Sequence, residues 1–317
     1  MIRLGLCCAF RDQPIKFRTT TAAAITRTAR PEQLRRLGAI ALGNAHTLQQ
    51  ALRYCAAHNI GCFRINSQIL PLRTHPAVGY SVADLPNAKA VVEAFKQCGE
   101  FACRQRLRLT FHPDQFVVLN SPTRAIVSNS IAELNYQAEV AGWVGADVIN
   151  IHGGGAYGNK ATALARLLRN LLRLSYDVRR RLTLENDDRI YTPTDLLPVC
   201  QAARIPFVYD VHHHRCNPDG LSVEEVTRRA AATWDREPLF HVSSPARGWT
   251  GANPRVHHEF VRVRDVPPCW QGLEITVEVE ARAKEVAIRR LQRALRSYCA
   301  TKRGTRRARR VRPAAHG

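Results

Sequence analysis

Seven side chains of this 317-residue chain carry the two donor types that hold divalent cations: His112, His152, Glu185, Asp210, His213, His241 and Glu280. Imidazole nitrogen and carboxylate oxygen suit hard to borderline ions such as Mn²⁺, Zn²⁺ or Mg²⁺, and a carboxylate can bridge two or three of them. A single histidine after a strand reads as a hydrogen-bonded loop or core residue. The set reads differently, because each of these residues falls in or just after a short apolar run. In Tyr209-Asp-Val-His-His-His214 three adjacent imidazoles cannot all face one point. Asp210 and His213 are the better donors there, with His212 and His214 exposed or supporting a ligand. No cysteine stands at these positions, which weakens a structural zinc reading.

Bringing such distant residues together demands a particular framework. Eight β-branched or apolar runs, at 2–9, 61–65, 107–111, 147–151, 182–184, 206–209, 239–242 and 273–277, read as strands. Between them lie amphipathic stretches at 31–58, 87–101, 124–142, 160–176, 194–203 and 223–233, and a last one runs to Tyr298. Eight such units in about 300 residues predict an α/β fold, a single (β/α)8 TIM barrel over residues 1–300. The seventh unit is irregular, without a clean helix between Ser243 and Pro268. A doubly wound open sheet is the alternative. In a closed parallel barrel the C-terminal strand ends converge on one mouth, so the seven donors would form a ring. Gly153-Gly-Gly-Ala156 lacks the spacing of a phosphate-binding fingerprint, which disfavours a nucleotide cofactor.

Charge suggests what such a ring would act on. Lys and Arg number 47 against 26 Asp and Glu, a net charge of +21. An excess this large attracts a polyanion. Lys302 to Arg312 carries seven positive charges and reads as part of a basic, disordered tail over 301–317; removing seven from +21 still leaves +14 on the body. The 45% hydrophobic content supports a sizeable core. No apolar run is long enough for a membrane span, and a soluble, cytoplasmic protein is expected. The ten cysteines are scattered without a C-x-x-C and read as reduced thiols. Several ions in a strongly basic protein imply phosphodiester hydrolysis, in which one ion activates water and others stabilise the attacking and leaving oxygens. A metal-dependent sugar isomerase or epimerase would use a similar ring, but has no need of such charge.

The motifs Ile2-Arg-Leu-Gly5, Phe63-Arg-Ile65, Thr74-His-Pro76, Phe111-His-Pro-Asp-Gln115, Ile151-His-Gly-Gly-Gly-Ala-Tyr-Gly158, Leu184-Glu-Asn-Asp187, Asp210-Val-His-His213 and Val279-Glu-Ala-Arg-Ala-Lys-Glu285 occur in this order. Together they resemble the UV-damage endonuclease family over roughly residues 1–295. The resemblance implies a barrel holding up to three divalent ions, usually Mn²⁺, that nicks duplex DNA 5′ to UV photoproducts. By position it implies His75, His112, His152, Glu185, Asp210, His213, His241 and Glu280 as metal ligands, with Glu185 bridging. It adds His257, or else His258, from Val256-His-His-Glu-Phe260. Glu185, His112 and Asp210 would be catalytic, and Gln115-Phe116 would be the pair inserted into the duplex beside the lesion, with Phe in place of the family's Tyr. Leu6 replaces a Tyr carried by some members, and Leu239 replaces a Lys that can contribute to the metal centre.

Three further features have two readings each. The segment 11–36, with seven basic residues, tracks DNA phosphates or is a solvated loop. Arg64 is a buried partner for a carboxylate or a phosphate clamp, and Trp249 is a loop aromatic or a base platform. The reading as a whole is a monomeric, metal-dependent DNA repair endonuclease of the cytoplasm and nucleoid acting on damaged double-stranded DNA. A catalytically silent damaged-DNA-binding barrel is the other outcome besides the sugar enzyme.

Overall fold

The computed structural model describes residues 2–310. Eight parallel strands pair in chain order and close on themselves: β1 (Ile2–Cys7), β2 (Cys62–Ile65), β3 (Arg108–Phe111), β4 (Val148–His152), β5 (Leu182–Glu185), β6 (Phe207–Asp210), β7 (Leu239–Val242) and β8 (Ile275–Val279). This is the expected barrel and not the open sheet. Each strand lies at its predicted place. The eighth is displaced two residues toward the C-terminus, which leaves its alternation of faces unchanged, and β4, β5 and β6 each end on a donor: His152, Glu185 and Asp210.

Parallel pairing requires long crossovers, supplied by α1 (Ala22–Ile25), α2 (Arg30–Ala57), α3 (Ala88–Arg104), α4 (Arg124–Val144), α5 (Lys160–Leu171), α6 (Tyr176–Arg179), α7 (Pro193–Ala203), α8 (Val211–Cys216), α9 (Val223–Ala231) and α10 (Lys284–Arg310). The stretch read as one helix over 160–176 is broken into α5 and α6. The seventh unit is irregular as predicted: only 3₁₀ turns at Val263–Asp265 and Pro268–Trp270 separate β7 from β8. Buried Asp265 ties that long connection together, accepting from Ser244 Oγ at 2.5 Å and Trp249 Nε1 at 2.9 Å. The segment from residue 301, read as a disordered tail, is instead helical as far as Arg310. Between Lys284 and Arg310 it holds good helix formers and no proline. Residues 311–317 of the expected tail lie outside the described residues.

Strand periodicity divides the molecule into two environments. Alternate residues such as Leu6, Phe63, Phe111, Ile149, Leu184, Tyr209, Phe240 and Val277 pack outward into one continuous core with the helices. The intervening residues face the barrel axis. Near its base Val148, Val208 and Leu239 form a separate buried cluster with Trp234 against it, beside the inward Thr276, which donates to Glu237. Above that layer the inward positions turn polar: Arg64, Thr110, Asn150, Thr183 and Glu278 are all buried. The donors stand over them at the mouth.

α3 meets the end of α4 closely, backbone against backbone. A Cβ built on Gly99 would lie 2.7 Å from Val144 C and O. Since that obstacle is backbone, Gly99→Ala is expected to force the two helices apart and lower stability by about 1–3 kcal/mol; chemical denaturation of the purified variant measures it.

Candidate metal centre

Each donor owes its place to strand parity. His152 and Glu185 close β4 and β5 on inward positions, and His112 and Glu280 follow β3 and β8 directly. Asp210 ends β6 and also caps α8, its Oδ1 accepting from the His213 N–H at 2.7 Å, so one short turn carries both Asp210 and His213 to the mouth. The result is three overlapping groups whose potential ligand atoms lie within 4.8 Å of one another: His112, His152 and Glu185; Glu185, Asp210 and His213; and Asp210, His241 and Glu280. Glu185 joins the first group to the second, and Asp210 joins the second to the third.

Glu185 is fully buried and held from below. Thr183 Oγ donates to Asn150 Oδ1 at 2.8 Å, which turns the Asn150 amide nitrogen toward Glu185 Oε2 at 2.5 Å. His112 Nδ1 lies 3.0 Å from the Pro113 carbonyl and its Nε2 lies 3.1 Å from Glu185 Oε2, so the ring is held between the two. His213 Nδ1 likewise lies 3.0 Å from the Asn186 carbonyl. Glu185 Oε1, Asp210 Oδ2, His152 Nδ1 and His241 Nδ1 are buried with no hydrogen-bond partner. Bare acceptors crowded at this spacing are costly unless a cation satisfies them, so the donor set fits bound divalent ions.

The electrostatics agree. Burial alone would raise the carboxyl of Glu185, yet His241 and His152, with hydrogen bonds from His112 and His213, hold it well below the usual carboxylate range. Burial would also discharge His241, but Glu185 outweighs it and lifts that imidazole to about 10. His213 is raised in the same way, chiefly by Asp210, against the desolvation that would lower it. Without an ion, protons on these rings supply positive charge that the carboxylates need. His152, where burial dominates, is instead pushed below its ordinary value.

One layer down, Arg64 settles its two readings in favour of the buried carboxylate partner. Its Nε lies 2.5 Å from Glu278 Oε2, and its Nη2 lies 2.7 Å from Glu280 Oε1. Thr110 Oγ donates to Glu278 Oε1 at 2.5 Å. Burial opposes ionisation of Glu278, but Arg64 and His241 bring its carboxyl down to about 2. The sequence reading missed Glu278, Asn150 and Thr183; their signal was an alternation of polar residues inside otherwise apolar strands. Leu239 lies two residues below His241 on the same face and is sealed in the apolar floor, so it brings no charge to the centre.

At the rim, the geometry separates His257 from His258. His257 Nδ1 is 3.8 Å from Glu280 Oε2 and its ring packs against His213, whereas His258 Nδ1 accepts from Phe260 N–H at 2.9 Å. His212 and His214 are both buried, not exposed. His214 bridges the Tyr209 hydroxyl, at 2.8 Å, and Asp219, at 2.9 Å; His212 packs between Trp249 and His257. Trp249 is thereby a strut of its loop. The basic segment after β1 is pinned, since Glu285 accepts from the backbone N–H of Arg11 and of Asp12, both at 2.8 Å.

His75 falls in none of the three groups. Its Nδ1 accepts from Ala77 N–H at 3.2 Å, and the residue lines a cavity of about 760 Å³ with Gln115, Phe116 and Tyr157. Gln115 is exposed and Phe116 is 79% exposed, an unusual position for a large apolar side chain. Tyr157, also exposed, was overlooked although it stands in the glycine-rich loop after β4. That loop needs its glycines for close packing: a Cβ on Gly154, at φ +86°, would meet Asn120 Oδ1 at 2.2 Å. Leu6 points outward into the core, away from the mouth.

Comparison with known proteins adds the family. The model of the family described as UV-endonuclease UvdE matches residues 2–308. A UV DNA damage endonuclease of Bacillus velezensis is 32% identical over 308 residues, covering 93% of each chain. One from Bacillus mycoides is also 32% identical, over 86% of this chain and 87% of its own. The crystal structure of SacUVDE superposes with a TM-score of 0.82 at 25% identity, over 94% of this chain and 99% of that one. Endonuclease IV from Thermus thermophilus (TM-score 0.60, 15% identity, 94% of this chain and 99% of that one) and a D-psicose 3-epimerase from Clostridium cellulolyticum (0.54, 13%, 87% and 84%) share the fold alone.

The support beneath Glu185 can be tested directly. Asn150→Ala is expected to leave the barrel folded but lower affinity for divalent metal about 10- to 100-fold, read by metal titration monitored through thermal stabilisation.

Proposed function

Because this chain belongs to the UV-endonuclease UvdE family, we propose that it is a metal-dependent endonuclease that nicks damaged duplex DNA 5′ to UV photoproducts, leaving a 3′-hydroxyl and a 5′-phosphate. The observation that carries this reading is the run of three donor groups linked by Glu185 and Asp210, set beside an exposed Phe116. The residues proposed to hold metal are His112, His152, Glu185, Asp210, His213, His241 and Glu280, with His257 at the rim. His75, implied by the resemblance, has only Nε2 left to offer and stands in the cavity wall. Mn²⁺ is the favoured ion, with Zn²⁺ and Mg²⁺ as alternatives. When bound, such ions would supply Lewis acidity at the scissile phosphate and a more acidic water.

The chain's own residues do the rest. Asn150 and Thr183 fix the plane of the Glu185 carboxylate, and the carbonyls of Pro113 and Asn186 fix the rings of His112 and His213. Glu185, His112 and Asp210, clustered where the groups overlap, are the proposed catalytic residues. Gln115 and Phe116 are proposed to enter the duplex beside the lesion; Phe116 can wedge and stack, but it offers no hydroxyl to bond a base. The excess of positive charge draws in the phosphate backbone. The barrel over residues 1–300 is proposed to act as one monomeric unit in the cytoplasm, at the nucleoid. Among the described residues no helix is long and apolar enough to cross a membrane.

The test is a UV-irradiated oligonucleotide duplex incubated with the purified chain in Mn²⁺ and in EDTA. Nicking in Mn²⁺ alone is expected; binding without nicking would indicate a silent damage-binding barrel. Glu185→Gln should abolish nicking and retain the duplex, and a variant that nicks at the normal rate would refute the bridging role. Phe116→Ala should cost about 1–3 kcal/mol in binding irradiated duplex and much less on intact duplex, with metal content unchanged. Equal losses on the two duplexes would count against the wedge.

A further inference from the structure

The loop from α2 into β2 lies at the end of the barrel opposite the mouth, because it leads into a strand. α10 starts at the mouth after β8, packs along β1 and β8, and descends to this loop. Gln292 locks the two together, donating to the carbonyls of His58 at 3.3 Å and Asn59 at 2.8 Å. Between them is a groove of about 260 Å³ lined by Ala57, His58 and Asn59 and by Arg289, Arg293 and Arg296.

Three arginines at this end have carboxylate partners: Arg3 with Glu237 at 2.9 Å, Arg108 with Asp147 at 2.8 Å and Arg236 with Asp147 at 3.1 Å. Among the described residues no carboxylate pairs with Arg289, Arg293 or Arg296, and none lines the groove. Tyr54 is the neighbour of Arg289. Three like charges on one helix face, at four- and three-residue spacing, repel one another unless an anion lies between them. They span about 10 Å of helix, a length over which a duplex presents several backbone phosphates along its axis.

We propose that this groove is a second nucleic-acid site, one that holds backbone phosphates of a DNA segment other than the one engaged at the mouth. Two observations favour duplex DNA over a small phosphate. The groove opens to solvent along the face of α10 that carries three arginines, and the sequence that follows them in the same helix is itself rich in Lys and Arg. A line of charge suits a polymer. Its position across the barrel from the donors means that a straight duplex seated at the mouth cannot reach it. The protein would therefore hold two segments at once.

The proposal rests on the mouth holding damaged duplex, so the experiment labels the two segments separately. The full chain is saturated with a short UV-irradiated duplex carrying one fluorophore, and an unirradiated duplex carrying another is titrated in at several salt concentrations. The second duplex is expected to bind without displacing the first. The combined variant R289Q/R293Q/R296Q should weaken second-duplex binding at least tenfold, reduce its log–log salt slope by about 2.7, and leave retention of the irradiated duplex and the thermal midpoint unchanged. Failure of the first duplex to bind would count against the mouth reading instead. The second site is overturned if no second duplex binds, or if the triple variant binds it as well as the parent while deletion of residues 302–317 abolishes binding. It is equally overturned if inorganic tripolyphosphate occupies the groove and duplex does not.

Discussion

The mouth of this barrel is organised by a demand for positive charge. Glu185, Asp210, Glu278 and Glu280 are brought together where water is largely excluded, and the chain supplies one fixed cation, Arg64, against them. The imbalance decides much else. It draws protons onto His213 and His241, whose Nδ1 atoms lie 3.2 Å and 3.1 Å from Glu185 Oε1, and it leaves Asp210 Oδ2 without a hydrogen-bond partner. A neutral, well-packed core would be more stable, and the arrangement is one that could hold divalent ions. Arg64 is better understood as a brace within it than as a contact for substrate, since its guanidinium is consumed by Glu278 and Glu280.

The receptacle is cheap to build from strands. Inward positions recur every second residue, so a strand that places a candidate donor at its tip places a supporting side chain two residues below: Asn150 beneath His152, Thr183 beneath Glu185, Glu278 beneath Glu280. The outward positions, meanwhile, pack against helices and make the barrel independent of the chemistry at its end.

That division explains what the sequence made legible. All eight strands and most helices could be placed because their periodicities are strong, and the irregular seventh unit showed itself by having none. Seven donors were readable because they stand in or just after strands, whose C-terminal ends the fold makes convergent. What was hidden depends on contacts between distant loops. The different surroundings of His257 and His258 follow from the path of the connection pinned by Asp265, and the separation of His75 from the three donor groups goes with a turn in which Ala77 N–H donates to its Nδ1. Burial of His212 and His214 could not be foreseen because α8 is a single short helix with no periodicity to read. The same holds for Tyr157, whose exposure is set by the packing of glycines against Asn120.

The floor of Val148, Val208 and Leu239 has a consequence for traffic. With those side chains buried beneath the donors, the mouth is the side on which His112 and His152 meet solvent. An ion loading, a water arriving or a proton leaving must share the doorway that a bound duplex would cover, so the seated substrate would itself be the stopper that sets when exchange is allowed.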